Sequence, residues 1–550
     1  MGRMSWMVLL LVGVAGAQVQ QPSAQQPGPV GEGPRATLQV TTQNVVLDVV
    51  VNDSKGKPVT GLKAGDFTVY EDKAAQALVA FSEVTPEISK AGELEVGSTA
   101  ELDRKEPDAP VSIVVIDEMS LNTMDLAFAE YSLTRYLKGQ GDRLDQPTML
   151  IAANSKQVTV LRDYTTSRKE ILDAVKHHST DYNVLARGQV ASWQAEQASA
   201  AVGTLISVAE ATAGHRGHKN MIWIGRGFPP IDLGNVTDED KASFERAMKS
   251  CMRLLRESRV TLYTVDPVGT SGNFETNVAG NKYAEDPFGG EAGFDTIAVT
   301  SGGQAMHGRN DVDKMVDESV RDGEFFYTLS YRPVVQSDTA KAYRKIRVVM
   351  KDPNLVATTR EGYFAAAAAV APMKEANGKY DKQTVYDLSV AAQSLLVYDG
   401  ISLSVTRDAG APGRFIVRLR AADVPWHADA PKPDGAQQDR TQQDRTQQDR
   451  TQQESAVLTV LVGSYDKKGK LLAHSERSLT VHLPVGAGDG PDVRPVSLPV
   501  SIATGGTVAR LRFVVRSNES GKIGAENFYL VDEKTLTDPA AGLDGKTSHN

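Results

Sequence analysis

The spacing of hydrophobic positions changes several times along the chain. It alternates with period two through Thr37-Leu-Gln-Val-Thr-Thr42, Val45-Val-Leu-Asp-Val-Val-Val51 and Phe67-Thr-Val-Tyr-Glu71, with a turn at Asn52-Asp-Ser-Lys-Gly-Lys-Pro58. Alternation rich in β-branched residues, broken by Asn, Asp and Gly, predicts strands. From 111 to about 300 the pattern becomes apolar runs alternating with helical spacing. The strands are Val111–Asp117, Pro147–Ala153, Asn220–Ile224 and Val260–Val265, with a last one starting at Thr300–Ala305. Between them helices are predicted over Asp125–Leu137, Thr166–His177, Ala191–Thr212 and Asp238–Glu257. Strands apolar on both faces, separated by helices, imply a mostly parallel sheet between two helix layers.

Alternation returns at Glu324–Tyr331, Tyr343–Met350 and Ala357–Arg360. Neither short β segment is large enough to be a domain by itself, so the expectation is one small sandwich formed by 37–83 and 324–364 around an inserted α/β unit at 110–323. Residues 84–109 and 365–382 read as linkers, and 383–535 as a C-terminal β-sandwich with a hairpin at Tyr465–Lys470. Three tandem Gln-Gln-Asp-Arg-Thr pentads lie within 436–454, a stretch without apolar anchors that reads as a disordered loop. Residues 536–550 read as a flexible tail. The fold class is therefore α/β plus all-β, with a doubly wound sheet bracketed by sandwiches.

Composition adds a route and removes some partners. Arg3, the apolar run Trp6–Val14 and Ala15-Gly-Ala17 form the parts of a signal peptide over 1–17, followed by a Gln/Pro/Gly-rich linker at 18–36. An exported protein is expected, periplasmic, on the outer surface or secreted. No later run is long and apolar enough to span a bilayer. A net charge of −9 without a basic cluster argues against a nucleic-acid partner. The single cysteine, Cys251, excludes an internal disulfide and reads as a buried thiol.

Candidate chemistry gathers where the strand Val111–Asp117 ends, because open α/β sheets place ligands at the carboxyl ends of their strands. The residues there are Asp117, Ser120 and Asn122, with Thr165 in Leu161–Ile171 and Arg226 in Ile224-Gly-Arg-Gly-Phe-Pro229. They resemble the metal-ion-dependent adhesion site of von Willebrand factor A-like domains, which hold a divalent cation with Asp-x-Ser-x-Ser, a threonine and a later aspartate. Here Met119 and Leu121 stand at the serine positions, Ser120 and Asn122 lie one residue off, Thr165 matches the threonine, and Arg226 replaces the aspartate. The resemblance implies a degenerate site with Asp117, Ser120 and Thr165 as vestigial metal ligands. In it Arg226 would neutralise Asp117 in place of the ion.

Three further stretches, Val59–Asp72, Met221–Pro229 and Phe326–Pro333 with Arg344–Val349, are similar to VWFA-related proteins of the acidobacterial type, over residues 37–364. This likeness implies architecture more than activity; the expected role is a non-enzymatic module binding a protein or cell-envelope component through loops 117–123, 165–167 and 226–230, with no cofactor expected. The alternatives are a cation-dependent adhesin-like binder using Mg²⁺ or Mn²⁺, and an α/β hydrolase, for which no Gly-x-Ser-x-Gly nucleophile motif is present. His215-Arg-Gly-His218 reads as a solvated loop, Ser301-Gly-Gly303 and Gly269–Gly272 as turns, and Trp193 and Trp223 as core residues.

Overall fold

The computed structural model describes residues 44–86, 90, 93–155, 158–180, 190–232, 237–269, 287–288, 291–333, 343–364, 382–394, 396–408, 410, 413–428, 453–467, 469–484, 496–502 and 508–530. The expected signal peptide, the linkers at 18–36 and 365–381, the strand Thr37–Thr42, nearly all of the pentad stretch and the tail lie outside these residues.

The strand Val111–Asp117 is buried along its whole length and sits inside a six-stranded sheet. The order is Ala305–Met306, Val260–Val265, Lys219–Ile224, Val111–Asp117, Arg143–Ala153, Val158–Ser167. The first five are parallel; Val158–Ser167 closes the edge antiparallel. Alternate residues of each strand feed opposite faces. Ile113, Val115, Met221 and Trp223 pack under helices Val190–Ala211, Asp238–Glu257 and Phe294–Ser301. Val114, Ile116, Ile222 and Ile224 pack under helices Thr123–Gly139, Arg168–His177 and Val312–Asp322.

Two corrections fall at the edges of this unit. The helix expected from Thr166 begins at Arg168, capped by the Ser167 hydroxyl, because Val158–Ser167 is spent on the antiparallel strand. The stretch read as a linker at 84–109 contains a helix, Thr99–Lys105, with Leu102 fully buried. Thr99 holds it to the edge strand through its N–H and hydroxyl to Asp163, at 2.8 and 2.6 Å.

Around the α/β unit lie two four-stranded sheets. One runs Val356–Thr358, Val45–Asn52, Phe326–Tyr331, Leu78–Val84; the other Gly362–Phe364, Tyr343–Met350, Phe67–Glu71, Ala74–Gln76. Strands on either side of the insertion are direct neighbours, as in Val45↔Tyr331 and Val348↔Val69. Their facing side chains, among them Leu47, Val49, Phe67, Val69, Tyr327 and Leu329, share one core. Asp48 ties this sandwich to the α/β unit. Its carboxylate accepts from Arg259 Nη2 at 2.5 Å and from the Thr328 hydroxyl at 2.9 Å, with His218 Nδ1 at 3.0 Å. His218 and His215 are therefore buried structural groups, not a solvated loop; His215 sits between Asp103 and the Ala109 carbonyl.

The C-terminal unit sets a sheet ordered Tyr398–Asp399, Ile523–Tyr529, Arg510–Ser517, Gln453–Tyr465, His427–Ala428 against a three-stranded sheet, Leu403–Arg407, Arg414–Leu419, Val496–Ser501. Phe415, Val417, Val460 and Phe513 fill the space between. The helix Lys382–Gln393 lies on its outer face, where buried Arg512 donates to the carbonyls of Ala391 and Leu396, both at 2.6 Å. Leu388, Leu396, Tyr398 and Ile523 belong to the same core as Ala201 and Leu205 of the α/β unit.

Candidate functional site at the carboxyl edge of the sheet

Each parallel strand of the α/β unit ends in a polar residue: Asn154, Asp117 with Glu118, Arg226 after a Gly turn, Asp266, and His307. Asp117 is fully buried at the centre of this row. Its Oδ1 accepts the backbone N–H groups of Met119 and Ser120 at 2.9 and 3.1 Å. Its Oδ2 accepts from the Ser120 hydroxyl at 2.5 Å, Trp223 Nε1 at 2.9 Å and the Gly227 N–H at 2.9 Å. Burial pushes this carboxyl's pKa up, and the donors oppose that rise.

The loop that supplies these donors depends on glycine. Gly225 has φ +151° and a Cβ there would stand 2.3 Å from Asp117 Cβ. Gly227, in the left-handed region at φ +59°, would drive a Cβ to 2.2 Å from the Phe294 ring.

Arg226 does not form the expected pair with Asp117. Its side chain turns to the next strand end, where Nε donates to both carboxylate oxygens of Asp266, at 3.2 and 3.1 Å. Its backbone N–H donates to the Ser120 hydroxyl at 2.9 Å. The physical reason is that Asp117 is already surrounded by nearer donors from Trp223 and the two turns. Beyond Asp266, Asp295 lies 3.3 Å from His307 and accepts from the Thr264 hydroxyl at 3.1 Å.

Thr165 is not part of this edge, nor is the 165–167 stretch. It pairs with Thr148, which pairs with Ser112, five residues before Asp117 on the central strand. That is about 17 Å along an extended strand at about 3.3 Å per residue. The antiparallel strand carries Thr165 to the amino end of the sheet, where its hydroxyl donates to Glu170 at 2.6 Å. Asn122 stays near the site but works as a helix cap. Its Oδ1 accepts from the N–H groups of Met124 and Asp125 at 2.9 and 3.0 Å.

A second group at this edge was not found from the sequence. The His178 ring, its side chain 2% exposed, lies between two carboxylates: Nε2 is 2.8 Å from Glu118 and Nδ1 is 2.5 Å from Glu130. Glu118 also accepts from Asn154 Nδ2 at 2.7 Å and bonds Thr180. Burial alone would lower the imidazole pKa, but the two carboxylates push it up to about 9, so both ring nitrogens carry protons at neutral pH. The sequence signal was slight: a histidine just past the end of a helix that leads back to the carboxyl edge.

The residues present do not fit a divalent ion at Asp117. Both of its oxygens are engaged by donors within the fold, and Gly225 packs against its Cβ. Among the described residues no group of three or more His, Cys, Asp or Glu side chains is arranged to hold a metal.

No family model matches the chain, and no curated protein matches it. Among solved structures, the crystal structure of the SpRpn10 VWA domain matches at 14% identity and a TM-score of 0.14. The match covers 28% of this chain and 88% of that chain. This is a faint likeness to a VWA-like fold and says nothing of activity.

Proposed function

We propose that this chain is an exported interaction module of von Willebrand factor A-like build, without catalytic chemistry, that engages a protein or cell-envelope partner at the carboxyl edge of its parallel sheet. Support for a doubly wound reading comes from five parallel strands with helices packed on both faces; in such sheets the crevice between the two central strands is the usual ligand position. Asp117 and Arg226 flank that crevice. The observation that carries a metal-free reading is the Asp117 carboxylate, which is taken up by Met119, Ser120, Trp223 and Gly227. Fixed cations of the chain itself, the His178 imidazolium and the Arg226 guanidinium, balance the acidic groups where a bound ion would otherwise do so.

Because Cys251 is buried, a cysteine introduced at exposed Thr123 gives a single accessible thiol for a photo-crosslinker beside this edge. Irradiation with envelope fractions should yield a discrete adduct that is the same in EDTA and in Mg²⁺. An adduct that needs the divalent ion would favour the cation-dependent adhesin reading instead; no adduct would remove this edge as the binding surface.

A further inference from the structure

The strands Val356–Thr358 and Gly362–Phe364 belong to the two opposing sheets of the small sandwich, and Thr359–Glu361 crosses between them beside the α/β unit. The crossing is held on both sides. The Thr359 hydroxyl donates to the Asp48 carbonyl at 2.7 Å, and the Glu361 N–H donates to the Thr300 carbonyl at 3.4 Å. A Cβ on Gly302 would stand 2.7 Å from the Arg360 backbone nitrogen, so helix Phe294–Ser301 ends directly against this segment. Arg360, in its middle, is only 6% exposed. Among the described residues its guanidinium donates no hydrogen bond and forms no ion pair.

That guanidinium is still a cation at neutral pH. Burial lowers its pKa to about 10, Asp48 opposes the fall, and Arg256 and Arg259 add to it. The nearby acids are already engaged. Asp48 is taken up by Arg259, Thr328 and His218, and Glu257 accepts from Arg256 and Arg253 at 3.4 and 2.8 Å. A buried cation without a counter-charge of its own, in the field of two more guanidinium groups, is unfavourable until an anion joins it. Water can bond the N–H groups but brings no charge to offset them.

We propose that Arg360 holds a small oxyanion, a phosphate or a carboxylate, across the N–H fork of its guanidinium, within the positive field of Arg256 and Arg259. Both kinds of ion present two oxygens at the spacing that a planar guanidinium fits, which a halide does not. Arg259 immediately precedes strand Val260–Val265, so the site lies at the amino end of the parallel sheet. Its test is therefore independent of the partner proposed at the carboxyl edge.

Thermal unfolding of the full chain in sodium phosphate and in sodium acetate, each over a hundredfold range of concentration with chloride keeping the ionic strength constant, tests this. Circular dichroism confirms that each variant is folded. The wild type should gain stability with the logarithm of ion concentration in at least one series, and that series names the oxyanion. Arg360→Leu should lose the gain. Arg360→Lys, which keeps the charge without the fork, should need about tenfold more ion for the same gain. A wild type unmoved in both series, or a gain that persists unchanged in either variant, would overturn the proposal.

Discussion

Replacing His178 by glutamine should remove a pH-dependent part of the protein's stability. The imidazole is enclosed by Glu118 and Glu130, its side chain 2% exposed, and its pKa rises from 6.5 to about 9. At about 1.4 kcal/mol per pH unit, that difference corresponds to about 3 kcal/mol of folding free energy. The folded value lies above the unfolded one, so this contribution is complete below pH 6.5 and is lost as the pH rises through 9. Glutamine keeps hydrogen-bonding capacity without the charge, leaving two carboxylates facing each other without a cation. Urea unfolding followed by tryptophan fluorescence, at intervals from pH 6 to pH 9.5, gives the stability of each form. The difference between wild type and variant should be largest at pH 6 and shrink by about 3 kcal/mol toward pH 9.5. Taking the difference cancels other groups that titrate here, such as Asp399 and Glu324, both pushed up to about 8 by burial. A difference that stays level with pH would refute a charged His178.

Three other substitutions report on neighbouring parts of the fold. Trp223→Phe removes one donor from buried Asp117 and should cost about 2 kcal/mol in chemical denaturation, as expected for a lost bond to a charged group. Gly227→Ala forces a side chain into the Phe294 ring at a left-handed backbone position, and should cost about 2 kcal/mol or more in the same assay. Asp48→Asn strips the charge that balances Arg259 and His218 between sandwich and α/β unit. A loss of about 3 kcal/mol is expected, together with faster hydrogen exchange in Val45–Asn52 and Phe326–Tyr331.

The central strand, the helix Asp238–Glu257 and the strand Val260–Val265 were legible because their apolar spacing is unbroken and long enough to tell period two from period 3.6. The strand Val158–Ser167 was not, since an edge strand is only half buried and Thr165-Thr-Ser167 runs straight into a capped helix. That one misassignment also misplaced Thr165, because an antiparallel turn moves a residue to the far end of the sheet without altering local pattern. Asp117 was visible as the polar end of an apolar strand. Its partners were less so: Trp223 and Gly227 lie more than a hundred residues away, and only the folded sheet brings them alongside. For the same reason His215 and His218 looked solvated, although their acidic partners, Asp103 and Asp48, come from distant segments.

In the proposed reading of the carboxyl edge, the chain's own donors and cations take the place that a bound ion holds in a metal-dependent site. Thermal melts of the purified protein in EDTA and in millimolar Mg²⁺, Mn²⁺ and Ca²⁺ test this, because an ion that binds the native state must raise its apparent stability. Superimposable melts are expected in all four solutions. An ion-selective rise in melting temperature that disappears in Asp117→Ala would contradict a metal-free edge and establish a working metal site.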